Sequence, residues 1–258
     1  MKVRDIIAAV EEFAPLGIQE QWDNSGLCIG SPDAPVSGVL IGFDCTPALV
    51  DEAAAHGCNM IITHHPLIFK GIRQIRPEDP TGETIIRAVK AGIAVYAAHT
   101  TADKVLEGVS GAMARRLGLR GISIMEDEGG VGLGAVGDFP EPLTATEAIG
   151  LVKERFGLKV MRTSAPIKEK ISRVAVCGGS GGSEIAKALS CGAQMYISAD
   201  ISYHNFFTPE GFMIADIGHF ESEVEITDIL FSFLRKKFPN FAVRLASSLR
   251  EANPVHYF

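Results

Sequence analysis

Short, unbroken apolar runs constrain this chain more than anything else in it. Val39-Leu40-Ile41-Gly42-Phe43, Met60-Ile61-Ile62 and Ile93-Ala94-Val95-Tyr96-Ala97-Ala98 are too short for buried helices and do not alternate like half-exposed strands. They read as buried strands of a mainly parallel sheet. Between the first two, Asp44-Cys45-Thr46-Pro47 forms a helix cap with Pro47 near the first helical position, and Gly57 ends the helix. Between the second and third, Pro77 to Gly82 reads as loop and residues from about Glu83 to Lys90 as helix, stopped by Gly92. Val105, Val109, Met113 and Leu117 then mark one face of a helix closed by Gly118. Such alternation is that of βαβ units, so the fold class is α/β.

The pattern recurs. Val39-Leu40-Ile41 and its helix up to Gly57 align without a gap on Val174-Ala175-Val176 and its helix up to Gly192. Met60-Ile61-Ile62-Thr63 falls on Met195-Tyr196-Ile197-Ser198, and His65 on Asp200. Any two strand-helix-strand units look somewhat alike, but here the register holds through the turns, which favours duplication. The expected architecture is two similar α/β lobes, residues 1–125 with 216–258 and residues 126–215, with mainly parallel or mixed sheets sandwiched by helices.

The remaining elements follow from local signals. Val3, Ile6, Ile7, Val10 and Phe13 recur at helical spacing, and Pro15 limits that helix. Trp22 to Gly26 reads as a turn before a strand at Leu27-Cys28-Ile29. Gly129 to Gly137 reads as an edge strand, and Thr144-Ala145-Thr146-Glu147 has capping-box spacing before a helix ending near Gly157. Strands are expected over Leu158 to Arg162, Arg173 to Cys177, Phe212 to Ala215 and Phe241 to Leu245. A helix runs from Glu221-Ser222-Glu223 to about Lys237, and Ala252 to Phe258 is a tail.

Composition excludes several function classes. The net charge of −7 and the lack of a basic stripe leave no nucleic-acid footprint. Five cysteines without a C-x-x-C pair fit reduced thiols packed as small apolar residues. Asp5, Glu11 and Glu12 interrupt any signal-peptide core, and no apolar run approaches the ~18 residues of a membrane span. A cytoplasmic protein with a small-molecule substrate and no membrane partner is expected.

Candidate chemistry gathers at strand ends, where α/β folds bind ligands. His64 and His65 follow Met60 to Thr63 as Pro66 stops further pairing, so both imidazoles can turn toward one crevice. His99 and Asp103 follow the third strand, and His219 and Glu223, four apart at a helix start, share a face. Each pair alone is more often a set of hydrogen-bonded structural or surface residues; three such pairs, all at predicted carboxyl ends of strands, are the stronger signal. Imidazole with carboxylate suits Zn, Fe, Mn, Co or Ni rather than calcium. Donors from three strand ends exceed one open tetrahedral site and suffice for two ions. His99 and His204 are candidate proton shuttles or hydrogen-bonded supports, while His56 and His256 read as surface residues. Cys177-Gly178-Gly179-Ser180-Gly181-Gly182-Ser183 reads as a tight strand-to-helix turn; it lacks the Lys-Ser/Thr of a P-loop, though its amides are a reasonable phosphate contact if a nucleotide binds.

Trp22-Asp23-Asn24-Ser25-Gly26-Leu27, Asp44-Cys45-Thr46, Ile62-Thr63-His64-His65-Pro66-Leu67-Ile68-Phe69, Ala98-His99-Thr100 with Asp103, Gly178 to Gly181, and Gly218-His219-Phe220-Glu221-Ser222-Glu223 occur in that order. The set resembles the Nif-three-like family of dinuclear-metal-centre proteins, described as GTP cyclohydrolase 1 type 2 homologues, over essentially the whole chain. The resemblance implies His64, His65, Asp103, His219 and Glu223 as ligands of two divalent transition-metal ions. It also implies intertwined, duplicated lobes with the metals between them, a toroidal homohexamer, and opening of the GTP imidazole ring toward dihydroneopterin triphosphate. A non-catalytic metal-binding or regulatory interaction protein is the alternative. A DHH-type phosphoesterase is disfavoured because Thr63, not Asp, precedes the paired histidines. Thr101-Ala102 and Ser198-Ala199 depart from the family pattern without removing an implied ligand.

Overall fold

The apolar runs become strands because nothing polar in them needs water. The computed structural model describes residues 1–257, and Phe258, the end of the expected tail, lies outside the described residues. In chain order the strands are β1 (Gly26–Ile29), β2 (Val39–Gly42), β3 (Met60–Thr63), β4 (Ala94–Ala97), β5 (Arg120–Ile124), β6 (Ala135–Leu143), β7 (Arg162–Thr163), β8 (Ile171–Ser180), β9 (Met195–Ala199), β10 (Met213–Asp216) and β11 (Val243–Leu245). The helices are α1 (Val3–Phe13), α2 (Pro47–Ala55), α3 (Pro80–Ala91), α4 (Thr100–Asp103), α5 (Val109–Arg116), α6 (Ala145–Phe156), α7 (Ile185–Ser190), α8 (His219–Glu223) and α9 (Glu225–Lys237).

The chain forms two α/β units. One comprises Met1–Ala102 with Ile226–Val255; the other comprises Asp103–Glu225, joined by His256 and Tyr257. The first holds a sheet of order β1-β4-β3-β2-β11, parallel except for β1 on β4. Leu40, Ile61 and Val95 on its core face meet Leu49, Val50 and Ala53 of α2 and Ile85 and Ala88 of α3. Full burial of such side chains is worth about 1.5–3 kcal/mol each. Thr46 caps α2 by accepting from the Leu49 amide, and Gly92 ends α3 in the left-handed region at φ 65°.

The second unit holds a mixed sheet of order β5-β6-β8-β9-β10-β7. Its core joins Val136, Ala175, Tyr196 and Ile214 with Ala188 and Phe212. The duplication is visible in register. Val39 lies opposite Met60 where β2 meets β3, and Val174 lies opposite Met195 where β8 meets β9. Each third strand, β4 or β10, adds in parallel and is then edged by an antiparallel strand, β1 or β7. The copies differ on the other side, where β2 takes parallel β11 but β8 takes antiparallel β6.

Several expected boundaries move. Gly129 to Gly137 is not an edge strand: Gly129, Gly130 and Gly134 sit at φ 83°, 94° and 78°, outside extended geometry, and β6 lies inside the sheet with β5 at its edge. Of Leu158 to Arg162, only Arg162 enters a strand, because pairing with β10 is confined to Arg162 and Thr163. Helix α3 begins at Pro80, where the Asp79 side chain accepts from the Gly82 amide. The helix expected from Glu221 to Lys237 is divided at Val224 into α8 and α9.

Candidate metal centre

Adjacent strand residues normally face opposite ways, so His64 and His65 need a break in the strand to converge. The break follows β3. The His64 and His65 amides both donate to the Phe43 carbonyl, at 3.1 and 3.3 Å, and the Thr63 hydroxyl donates to the His65 carbonyl at 2.8 Å. The two imidazoles then lie side by side, 4.8 Å between centroids, with Phe43 against both. His99, just past β4, joins them: one ligand atom from each of His64, His65 and His99 lies within 4.8 Å of the others.

The acceptors behind these rings decide which nitrogen has a lone pair. His64 Nδ1 meets the Ala98 carbonyl at 3.1 Å, His65 Nδ1 meets Asp44 at 2.8 Å, and His99 Nδ1 meets Asp23 at 2.7 Å. Carbonyl and carboxylate oxygens only accept, so Nδ1 carries the hydrogen and the lone pair belongs to Nε2. That is the orientation in which imidazoles bind metals. Asp23 also accepts from the Ser25 hydroxyl and from the amide and hydroxyl of Thr100. Burial opposes its ionisation, but hydrogen bonds from His99, Ser25 and Thr100 outweigh that and hold it well below the usual carboxylate range.

The second unit repeats the device at matching places. Asp200 follows β9 as His65 follows β3, and His219 follows β10 as His99 follows β4. His219 Nδ1 meets Asp200 at 2.7 Å, while its Nε2 is 3.0 Å from Glu223, one turn along α8. Asp200 has φ 52°, the one non-glycine residue at positive φ among the described residues, in a region Asp tolerates better than most. Asp216, nearly buried, accepts from the Ile201 and Gly218 amides and pairs with Arg162, fixing the segments that carry Asp200 and His219.

Asp103 and Glu223 offer oxygens within 4.8 Å of each other, and Glu223 is 3% exposed. Burial first, then the nearby Asp103 and Glu184 carboxylates, push the Cys177 thiol far up. Two carboxylates this close repel where water is scarce, and a divalent cation relieves that repulsion. The donor chemistry of both clusters therefore fits a first-row transition ion.

The glycine-rich turn leaves room for the side chains around it. A Cβ on Gly179 would lie 2.2 Å from a Glu223 oxygen, and one on Gly178 would lie 2.2 Å from Val109. The Gly179 amide donates to Ser222, and the Gly181 amide to Ser198. Those amides are engaged inside the unit, which removes them as a phosphate contact. His204 lies exposed between Tyr203 and Phe207, and His56 and His256 are exposed as expected. Sequence reasoning missed Asp23, Asp44 and Asp200 as ring supports, although Asp23 and Asp44 lie within motifs it singled out and Asp200 is the position that aligns with His65. All five cysteines are free thiols, and no helix among the described residues is long and apolar enough to cross a membrane.

The family described as Duf34/NIF3 (NGG1p interacting factor 3) matches residues 1–254. A Clostridium perfringens protein named GTP cyclohydrolase 1 type 2 homolog is 34% identical over 228 aligned residues, 86% of this chain and 87% of that protein. A Lactococcus lactis protein of the same name is 34% identical over 266 aligned positions, 99% of either chain. A solved structure from Staphylococcus aureus superposes with a TM-score of 0.93 at 27% identity, covering 100% of this chain and 99% of that one.

Proposed function

The chain belongs to the Duf34/NIF3 family, and on that premise we propose that it is a metal-dependent hydrolase of a nucleotide or related phosphorylated small molecule. His64, His65, Asp103, His219 and Glu223 hold two divalent ions of the Zn, Fe, Mn, Co or Ni kind. The observation that carries this reading is the carboxylate on Nδ1 of His65 and of His219, which sets both rings up as ligands. When bound, such ions make water acidic enough to attack at neutral pH and offset developing negative charge.

The chain's own residues orient and move protons. Asp44 and Asp200 lock the rings of His65 and His219. His99, with its Nδ1 hydrogen held by Asp23, has a lone pair on Nε2 beside His64 and His65, placed to take a proton and return it to a leaving group. The relatives' name supports GTP as the first substrate to try, with hydrolysis of its imidazole ring and formate as a product. A homohexamer in the cytoplasm belongs to the same proposal. Metal-loaded protein incubated with GTP should release formate or give a pterin product, and His64→Ala should abolish it. If wild type and His64→Ala are equally inert across nucleotides and phosphoesters, the hydrolase reading fails. The family's description as an interacting factor supports a second reading, a non-catalytic metal-binding partner protein; bound metal without turnover, with a stable protein partner, favours that one.

A further inference from the structure

The Trp22-Asp23-Asn24-Ser25 turn has its hydrogen bonding assigned to three residues. Asp23 holds His99 and Thr100, the Ser25 hydroxyl meets the His99 amide, and the Asn24 side chain donates to the Ile68 carbonyl. That last bond ties the turn to the segment carrying Phe69. Trp22 does something else. Its ring lies 6.0 Å from Phe69 and 6.0 Å from His99, edge-on to both, and Phe69 lies edge-on to His99 at 5.8 Å. Yet Trp22 is 59% exposed and Phe69 42% exposed. Two large aromatic rings in water beside a carboxylate-anchored histidine contribute little to a core. An exposed π surface of this kind is what a planar base stacks on.

Charge points the same way. In a chain of net charge −7, the exposed segment Lys70-Gly71-Ile72-Arg73-Gln74-Ile75-Arg76, directly after Phe69, carries three cations and no acid. A protein interface needs about 800 Å² on each side, whereas two rings with neighbouring cations match one base and its phosphate.

Resting on the hydrolase reading, we propose that Trp22 and Phe69 form the stacking platform for the substrate's heteroaromatic ring, and that the site takes a purine nucleotide in preference to a ring-free sugar phosphate. Trp22 is the sole tryptophan, so intrinsic emission reports on this position alone. The metal-loaded full chain is titrated with GMP and, separately, with ribose 5-phosphate. GMP should quench emission saturably, beyond its quenching of free N-acetyltryptophanamide, while ribose 5-phosphate should give no saturable change. Phe69→Ala, an exposed position, should raise the GMP midpoint at least about fivefold with metal content unchanged. The proposal is overturned if GMP quenching is not saturable, if ribose 5-phosphate competes as well as GMP, or if Phe69→Ala leaves the midpoint where it was. Formate release from GTP separates the two claims. Saturable GMP binding without turnover keeps the platform and removes the hydrolase, whereas turnover without a stacking signal removes the platform alone.

Discussion

An oxygen acceptor stands behind each of His64, His65, His99 and His219, and three of the four acceptors are carboxylate side chains. Asp44→Asn keeps the shape but weakens the hold on His65, so metal affinity should fall about 10–100-fold in a chelator competition, with the fold intact. Asp23→Asn should cost about 2 kcal/mol of stability at neutral pH, measured by urea unfolding of metal-free protein. The sign with pH follows from the lowered pKa: the Asp23 contribution is complete above its usual value of 3.8 and is lost as acid carries the pH down toward the lowered one. The gap between wild type and Asp23→Asn should therefore close on acidification below that value. If it widens instead, Asp23 is not ionised in the folded state. The donor pairs were legible because they sit at strand ends, but their supporting acids were not. Asp44 reads locally as a helix cap, although Thr46 does the capping, and only the folded chain brings Asp23 to His99, far along the sequence.

At the scale of elements, β8 and α8 meet where only glycine fits. Gly179→Ala puts a methyl against a Glu223 oxygen at a backbone φ of 61°, a double strain. It should lower stability by about 1–3 kcal/mol and reduce bound metal, since Glu223 must move. Thr144→Ala is the matched contrast. It removes the reciprocal Thr144–Glu147 cap of α6 and should cost about 1 kcal/mol without changing metal content. If both variants lose metal alike, the clearance at Gly179 has no special part in placing Glu223. Runs such as Met60 to Thr63 gave up their strands readily because burial on both faces leaves an unbroken apolar pattern. The lengths of β6 and β7 were hidden because strand length depends on the pairing partner, which no local pattern encodes.

On the scale of the whole molecule, two α/β units carry the same strand arithmetic and the same device, a carboxylate on a histidine past a strand end. Ligands bound to the native state stabilise it by mass action, so stripping metal with a chelator should lower the thermal midpoint, and restoring one of the proposed ions should recover it. An unchanged midpoint means that no ion contributes to the fold. Light scattering should give six times the chain mass if the proposed hexamer forms; a monomer contradicts that part of the proposal. The most direct measurement is anomalous diffraction at a metal absorption edge, on crystals of protein purified without chelator. The expected result is two ions per chain, with His64, His65, Asp103, His219 and Glu223 all among their ligands. Ions bound by only one of the two histidine groups, or none at all, would contradict it.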